Sequence, residues 1–273
     1  MPSLPLSPPV FAILSAIIEE RIGLHYSLAE RELLAEKISP RAQEAGFDSL
    51  LDYYYFLRYD PRGSEEMEAL TEELVVNETY FFREFDQLRV LVDQVVAPQV
   101  AAGRRVRIWS AACATGEEPV TVAMLLADAG LLSRVEIVAT DISQRALTRA
   151  RDGVFGRRAL RSVPAPDLVA RYLMNSAGET RVHPDIAQAI RYRRVNLLDD
   201  SAVSDLGVFD VILCRNVLIY FRDETVRRLL ERLARALDPQ GTLFVGVSES
   251  LLRFGTSLVC EEKSGVFVYR RAG

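Results

Sequence analysis

VRIWSAACATGEEP, residues 106–119, is the stretch whose reading decides the fold. The mainly apolar run 106–109, interrupted by Arg107, gives way to small residues at 110–114, then Thr115 and Gly116, then two acids and a proline able to open a helix. That order reads as strand, tight loop and helix. Small residues let backbone approach a ligand closely, and the N–H groups at a helix start have no intrahelical partner. A phosphate suits such donors, but Glu117 and Glu118 repel one. Acids at this place accept hydrogen bonds from hydroxyls instead, as in nucleoside recognition. The loop therefore predicts a nucleoside ligand that puts no phosphate there.

Downstream the same texture repeats. Residues 134–140 read as a strand closed by Asp141, and Ser143 is placed to cap a helix carrying Ala146, Leu147 and Ala150. FDVILC, residues 209–214, is a third buried strand; residues 223–237 carry Val226, Leu229, Leu230, Leu233 and Leu237 at helical spacing, and 241–247 form a fourth strand. This alternation implies a parallel sheet covered on both faces, with ligands at the carboxyl ends of its strands. Between the second and third strands, residues 171–174, 180–182 and 190–195 read as short extended pieces around a turn at 175–179. They predict a small antiparallel insertion at about 165–195. The last element is a hairpin over 259–270 around Ser264 and Gly265.

Upstream no strand signal precedes Arg104. The proline-rich residues 1–9 read as irregular. Helices follow at 10–21, with Phe11, Leu14, Ile17 and Ile18 on one face, and at 28–38 through Leu33, Leu34 and Ile38. Ser39 and Pro40 are expected to end that helix. Two more helices fall at 49–58 and 64–76, the latter with Met67, Leu70, Leu74 and Val75 inward. The domain reading is a helical domain at 1–76, a linker and helix at 77–103 leading into the sheet, and the sheet domain at 104–273.

Composition narrows the class. The 273 residues, 49% of them hydrophobic, suffice for one large core or one large and one small. A net charge of -5 opposes nucleic-acid binding. The apolar run 10–18 is too short to span a bilayer, runs straight into Glu19, Glu20 and Arg21, and lacks the basic start of a signal peptide. The three cysteines, Cys113, Cys214 and Cys260, have no metal-ligand spacing, so no metal is expected and a reducing cytoplasm fits.

Asp141 lies about 25 residues beyond Gly116, near the spacing of about 20 at which an acid holds ribose hydroxyls in nucleotide-binding sheets. Loop and acid together favour a nucleoside site, without separating nicotinamide cofactors from S-adenosylmethionine. The absence of G-x-G-x-x-G speaks against the former. Two further stretches bear on the choice: NETYFFR, residues 77–83, and RNVLIY, residues 215–220.

Taken in order, NETYFFRE, SAACATGEEP, ATDIS, VNLLDD, FDVILCRNVLIYF and GVSES make the chain resemble the CheR family, chemotaxis receptor methyltransferases that use S-adenosylmethionine to methylate glutamate side chains. The likeness covers about residues 24–268. It implies a helical N-terminal domain followed by a seven-stranded, Rossmann-like methyltransferase sheet with a small β subdomain. It further implies that Asn77, Thr79 and Arg83 reach cofactor or substrate from the linker, and that Ala112 in the loop, Glu117 and Asp141 hold the cofactor. By the same resemblance Asn196, Leu197, Arg215 and Asn216 frame its adenosine and methionine portions, while Arg83 and Tyr220 orient the accepting carboxylate.

Other conspicuous residues have plainer readings. Phe81, Phe82 and Phe85 are expected to pack, Trp109 to sit in the core, and Cys113 and Cys214 to fill buried space. Neither His25 nor His183 lies near a motif, so neither is expected to be catalytic. The implied reaction needs no general base, because a glutamate of pKa about 4.3 is already ionised at neutral pH. It yields a glutamate methyl ester and S-adenosylhomocysteine. The alternatives are the same fold with an amine or small-molecule acceptor, against which the missing Asn-Pro-Pro-Tyr after FDVILC counts, and a cofactor-binding regulatory module without turnover. The expected partner is the helical cytoplasmic region of a chemoreceptor. The short turn at 175–179 predicts no tight binding of a receptor tail peptide, and the chain is expected to be a monomer in the cytoplasm.

Overall fold

In the computed structural model, residues 3–176 and 178–272 are described. They form two compact units: the residues up to Val76 together with Tyr220–Thr225, and Asn77–Ile219 together with the residues from Val226 onward.

The first unit is helical. Its helices are α1 (Pro8–Ile22), α2 (Arg31–Glu44), α3 (Leu50–Tyr59) and α4 (Gly63–Leu74). Pro8 and Pro9 open α1, where a missing N–H costs nothing, so the irregular start is shorter than predicted. Leu14, Ile18, Leu34, Ile38, Leu50, Leu70 and Leu74 make the core. The Tyr53 hydroxyl donates to Glu66 Oε1 at 2.7 Å, and Arg41 grips both Glu66 oxygens at 2.7 and 2.6 Å, tying α2, α3 and α4 together.

Two readings of α2 are corrected. Leu33 is exposed rather than inward. Pro40 does not end the helix, which continues four residues beyond it to Glu44. Pro40 and Glu36, the residue whose carbonyl loses its partner, both lie on the exposed face, where water can take the freed carbonyl. One residue before Pro40 the buried Ser39 hydroxyl donates to Ala35 O at 2.6 Å and accepts the Leu4 N–H at 2.8 Å. Within this unit Leu24 bridges to Phe221, and the His25 N–H reaches Tyr220 O at 2.9 Å.

The second unit opens with α5 (Phe85–Val90), a π-helical stretch at Leu91–Val96 and α6 (Ala97–Ala101). Next come β1 (Val106–Ala111), α7 (Glu117–Asp128), β2 (Val135–Asp141), α8 (Gln144–Asp152), β3 (Val154–Phe155), α9 (Pro166–Tyr172), β4 (Leu173–Ser176), β5 (Glu179–Val182) and α10 (Pro184–Ala187). After these come β6 (Ile190–Arg194), α11 (Asp200–Ser204), β7 (Phe209–Cys214), α12 (Asp223–Ala236, which belongs to this unit from Val226 onward), β8 (Leu237–Val245), β9 (Leu258–Lys263) and β10 (Val266–Arg271). The seven-stranded sheet runs β6-β2-β1-β7-β8-β10-β9, parallel from β6 to β8 and antiparallel at β10 and β9. The parallel part is the sheet that the alternation predicted, and the strand count of seven is the one the resemblance implied. Trp109 sits in its core, its Nε1–H donating to Thr140 Oγ1 at 2.8 Å.

Residues 190–195 are not part of the antiparallel insertion. Ile190–Arg194 is β6, paired in parallel with β2 at the edge of the main sheet. Its arginines mimic an isolated exposed hairpin because edge strands carry charge. The separate three-stranded sheet is β3-β5-β4, and its third member, two residues long, was too short to show as a pattern. Residues 171 and 172 end α9 rather than extending β4, and β8 starts at Leu237, earlier than expected. The turn at 175–179 includes residue 177, which lies outside the described residues. Among the described residues no helix is long and apolar enough to cross a membrane.

Candidate active site

The carboxyl ends of β1, β2, β7 and β8 carry the motif loops, and the linker 77–84 lies against them. Five non-glycine residues in these segments take positive φ: Phe82 (64°), Glu84 (51°), Ala112 (59°), Ala114 (48°) and Asn216 (58°). Left-handed backbone at such residues costs roughly 1–3 kcal/mol each and persists only where surroundings over-determine it. Here the surroundings are identifiable.

The loop after β1 is held by β2. Thr140 O accepts the Cys113 N–H at 2.9 Å, and Asp141 Oδ2 accepts the Ala114 N–H at 2.8 Å while its Oδ1 takes the Ser143 N–H at 2.9 Å. Gly116, at φ 93°, closes the turn with its N–H on Cys113 O at 3.0 Å. A β-carbon there would fall 2.8 Å from Ala150 Cβ and 3.0 Å from the Tyr192 hydroxyl, so both conformation and space require glycine. Asp141 thus shapes the loop with both of its carboxylate oxygens. The Val195 N–H bonds Asp141 O at 3.0 Å, which brings the following Asn196 and the buried Leu197 to the same end of the sheet. Asn196 Oδ1 accepts the Leu198 N–H at 2.9 Å.

Acids dominate the start of α7. Glu117 is 4% exposed and accepts the Thr115 hydroxyl at 2.7 Å; burial pushes its carboxyl above the usual range. Glu118 accepts Ser110 Oγ at 2.6 Å. This acceptor set fits S-adenosylmethionine, whose hydroxyls and ammonium need acceptors, and would repel a pyrophosphate.

The Arg215 side chain is committed within the protein. It is 1% exposed and makes four hydrogen bonds: Nε on Gln87 Oε1 at 2.8 Å, Nη1 on Glu118 Oε2 at 2.7 Å, and Nη2 on Arg83 O at 2.8 Å and Glu84 Oε2 at 3.0 Å. It forms a floor that ties the linker to α7. Glu84 also accepts Asn216 Nδ2 at 3.1 Å and the Val247 N–H at 3.1 Å. Burial alone would raise the Glu84 carboxyl, but the Arg215 charge and these donors leave it below the usual carboxylate range.

A second buried acid holds the far side. Glu249 accepts the backbone N–H groups of Asn216 (2.6 Å), Gly246 (2.8 Å), Leu218 (2.8 Å) and Ile219 (3.3 Å), and burial raises its carboxyl despite them. Glu84, Gln87 and Glu249 were missed from sequence. Glu84 and Glu249 sit inside quoted motifs, and the available signal was an acid at the end of an otherwise small or apolar stretch.

The linker carries the remaining candidates. Asn77 and Thr79 are half-buried and make no side-chain hydrogen bond among the described residues, so their polar groups are available to a ligand. Arg83 gives one donor to Glu78 O at 3.0 Å and lies 5.9 Å from the Tyr80 ring. The Phe82 N–H on Thr121 Oγ1 at 3.3 Å sets the linker against α7. Phe81 and Phe82 are buried packing residues, as are Cys113 and Cys214. Tyr220 groups with the helical unit rather than with this cluster. His25 there accepts Arg222 Nε at 2.8 Å, and His183 caps α10.

Comparison with known proteins agrees with this architecture. A family model described as "CheR methyltransferase, SAM binding domain" matches residues 77–264, and one described as "CheR methyltransferase, all-alpha domain" matches residues 9–75. Chemotaxis protein methyltransferase 2 of Vibrio cholerae serotype O1 is 35% identical over 242 residues, covering 87% of this chain and 84% of that protein. Chemotaxis protein methyltransferase 1 of Pseudomonas aeruginosa is 33% identical over 250 residues, with 88% and 90% covered. Chemotaxis protein methyltransferase 2 of the same organism is 36% identical over 236 residues, with 84% and 82% covered.

Proposed function

The chain belongs to the CheR methyltransferase family, and from that premise we propose that this S-adenosylmethionine-dependent methyltransferase esterifies glutamate side chains on the cytoplasmic helices of chemoreceptors. The observation that carries the reading is the pairing of an acid-lined nucleoside loop with a linker arginine, Arg83, most of whose donors are left for a ligand.

S-adenosylmethionine supplies, when bound, a methyl group on a sulfonium, which a carboxylate takes up as a methyl ester. Glu117 and Asp141 are the residues proposed to receive its ammonium and hydroxyl groups, with Ala112, Asn196, Leu197 and Asn216 beside them and Asn77 and Thr79 closing over from the linker. Arg215 acts through Glu84 and Glu118, which it positions. The accepting carboxylate arrives ionised, so no side chain has to remove a proton. What the protein supplies is orientation and exclusion of water, worth roughly 7–11 kcal/mol when the reacting atoms are held in line. Arg83 offers a planar fork to one or both carboxylate oxygens, and Tyr220 is assigned a single hydrogen bond on its motif position. A complete clamp would quench the nucleophile, so partial contact suits the chemistry better.

The test is methyl transfer from labelled S-adenosylmethionine to a receptor cytoplasmic fragment. Base-labile label released as methanol is expected, because a glutamate ester hydrolyses where a methylamine does not. Base-stable incorporation, or none onto the fragment, would replace this reading with an amine acceptor or a module without turnover.

A further inference from the structure

The linker places an acid, Glu78, five residues ahead of Arg83. An unpaired anion there would oppose a carboxylate approaching Arg83. Burial is the main reason the Glu117 carboxyl is raised, with Glu78 adding to the effect and Arg161 opposing it, so both charges are felt at the cofactor loop.

Arg161 comes from the segment between β3 and α9, and its position is fixed by more than its own side chain. The Phe81 N–H donates to Ala159 O at 2.9 Å, and the Phe81 and Phe155 rings meet edge to face at 4.9 Å. This fastens 155–161 along the linker. The Arg161 guanidinium then pairs with the Glu78 carboxylate and lies 3.8 Å from the centroid of the Tyr80 ring. Arg83 uses the other side of the same short segment, donating to the Glu78 carbonyl. Glu78 therefore gives its carboxylate to one arginine and its main chain to the other. With side chains 58% and 44% exposed, the Glu78–Arg161 pair contributes little to stability, so folding alone gives it no strong purpose.

We propose that Arg161 is a positioning residue for the acceptor: by holding the Glu78 carboxylate and the Tyr80 ring, it leaves the accepting glutamate to meet Arg83 without a competing anion. This rests on the reading that Arg83 faces that glutamate. Initial rates of methyl transfer to a receptor fragment, with calorimetric affinity for S-adenosylhomocysteine, test it. Arg161→Ala should raise KM for the fragment about tenfold, more so at low salt, with kcat and S-adenosylhomocysteine affinity nearly unchanged. Arg161→Lys keeps the charge and should stay within about threefold of the parent. Adding Glu78→Gln to Arg161→Ala should recover most of the lost KM, because the anion that Arg161 neutralises is gone. An unchanged KM in Arg161→Ala, or a double variant as impaired as the single one, overturns the proposal. If Arg83→Ala turned over normally, the underlying reading would be the one to fall.

Discussion

The loop 112–116 and the linker 77–84 both bend through left-handed backbone, yet they are held in opposite ways. The loop is fixed locally by the neighbouring strand: Thr140 O, Asp141 and the glycine at 116 account for its shape. The linker is fixed at long range, by an arginine 131 residues away from its acid. One half of the site is thus held by the adjacent strand, through the Thr140 carbonyl and the Asp141 carboxylate, and the other by a largely buried ion cluster that the fold has to assemble. The contrast predicts that the two halves fail differently.

The largest effect should come from Arg215→Ala. It leaves the part-buried Glu84 and Glu118 without their buried cation, and removing one partner of such a cluster costs up to about 3–5 kcal/mol. Urea unfolding should show this as a lower midpoint at unchanged slope. A loss below about 1 kcal/mol would mean the cluster does not organise the linker. Next in size is Gly116→Ala, which meets both a left-handed φ and a close contact with Ala150, and should cost roughly 1–3 kcal/mol. Its signature should be weakened S-adenosylhomocysteine binding by calorimetry, since the loop it distorts is the one proposed to hold the cofactor. Unaltered affinity would separate this loop from the cofactor.

Glu84→Gln should have the smallest effect at neutral pH and the clearest pH dependence. The folded-state carboxyl lies below its ordinary value, so it contributes stability above that value, and the contribution is lost as pH falls through the lower folded value. Thermal unfolding from neutrality down through about pH 4 should therefore show the wild type losing its advantage over the variant as the carboxylate titrates. Parallel curves across that window would contradict the assigned role of Arg215.

The same contrast explains what could be read from sequence. The strand, loop and helix of 106–119 were legible because apolar periodicity, small residues and an acid-proline helix start are local signals. Glu249 was not, because its four backbone partners come from segments 30 to 33 residues upstream as well as from its own loop. Arg215 was legible as a motif residue, but nothing in RN reveals that Gln87, Glu84 and Glu118 would converge on its side chain. Ile190–Arg194 was placed in the wrong sheet for a related reason, because pairing with β2 is a tertiary choice that an arginine-rich strand does not announce. Pro40 misled for a local one: exposure of Glu36 decides whether a helix survives a proline, and the helix face is not known until the bundle forms.

The division of labour between the two halves is tested most directly by Arg83→Ala, assayed for both S-adenosylhomocysteine affinity and methyl transfer to a receptor fragment. Cofactor affinity should stay within about threefold of the parent while turnover falls by roughly a hundredfold or more, the pattern of an interaction made mainly in the transition state. Normal turnover, or affinity lost in proportion to rate, would contradict the separation of a cofactor loop from an acceptor linker.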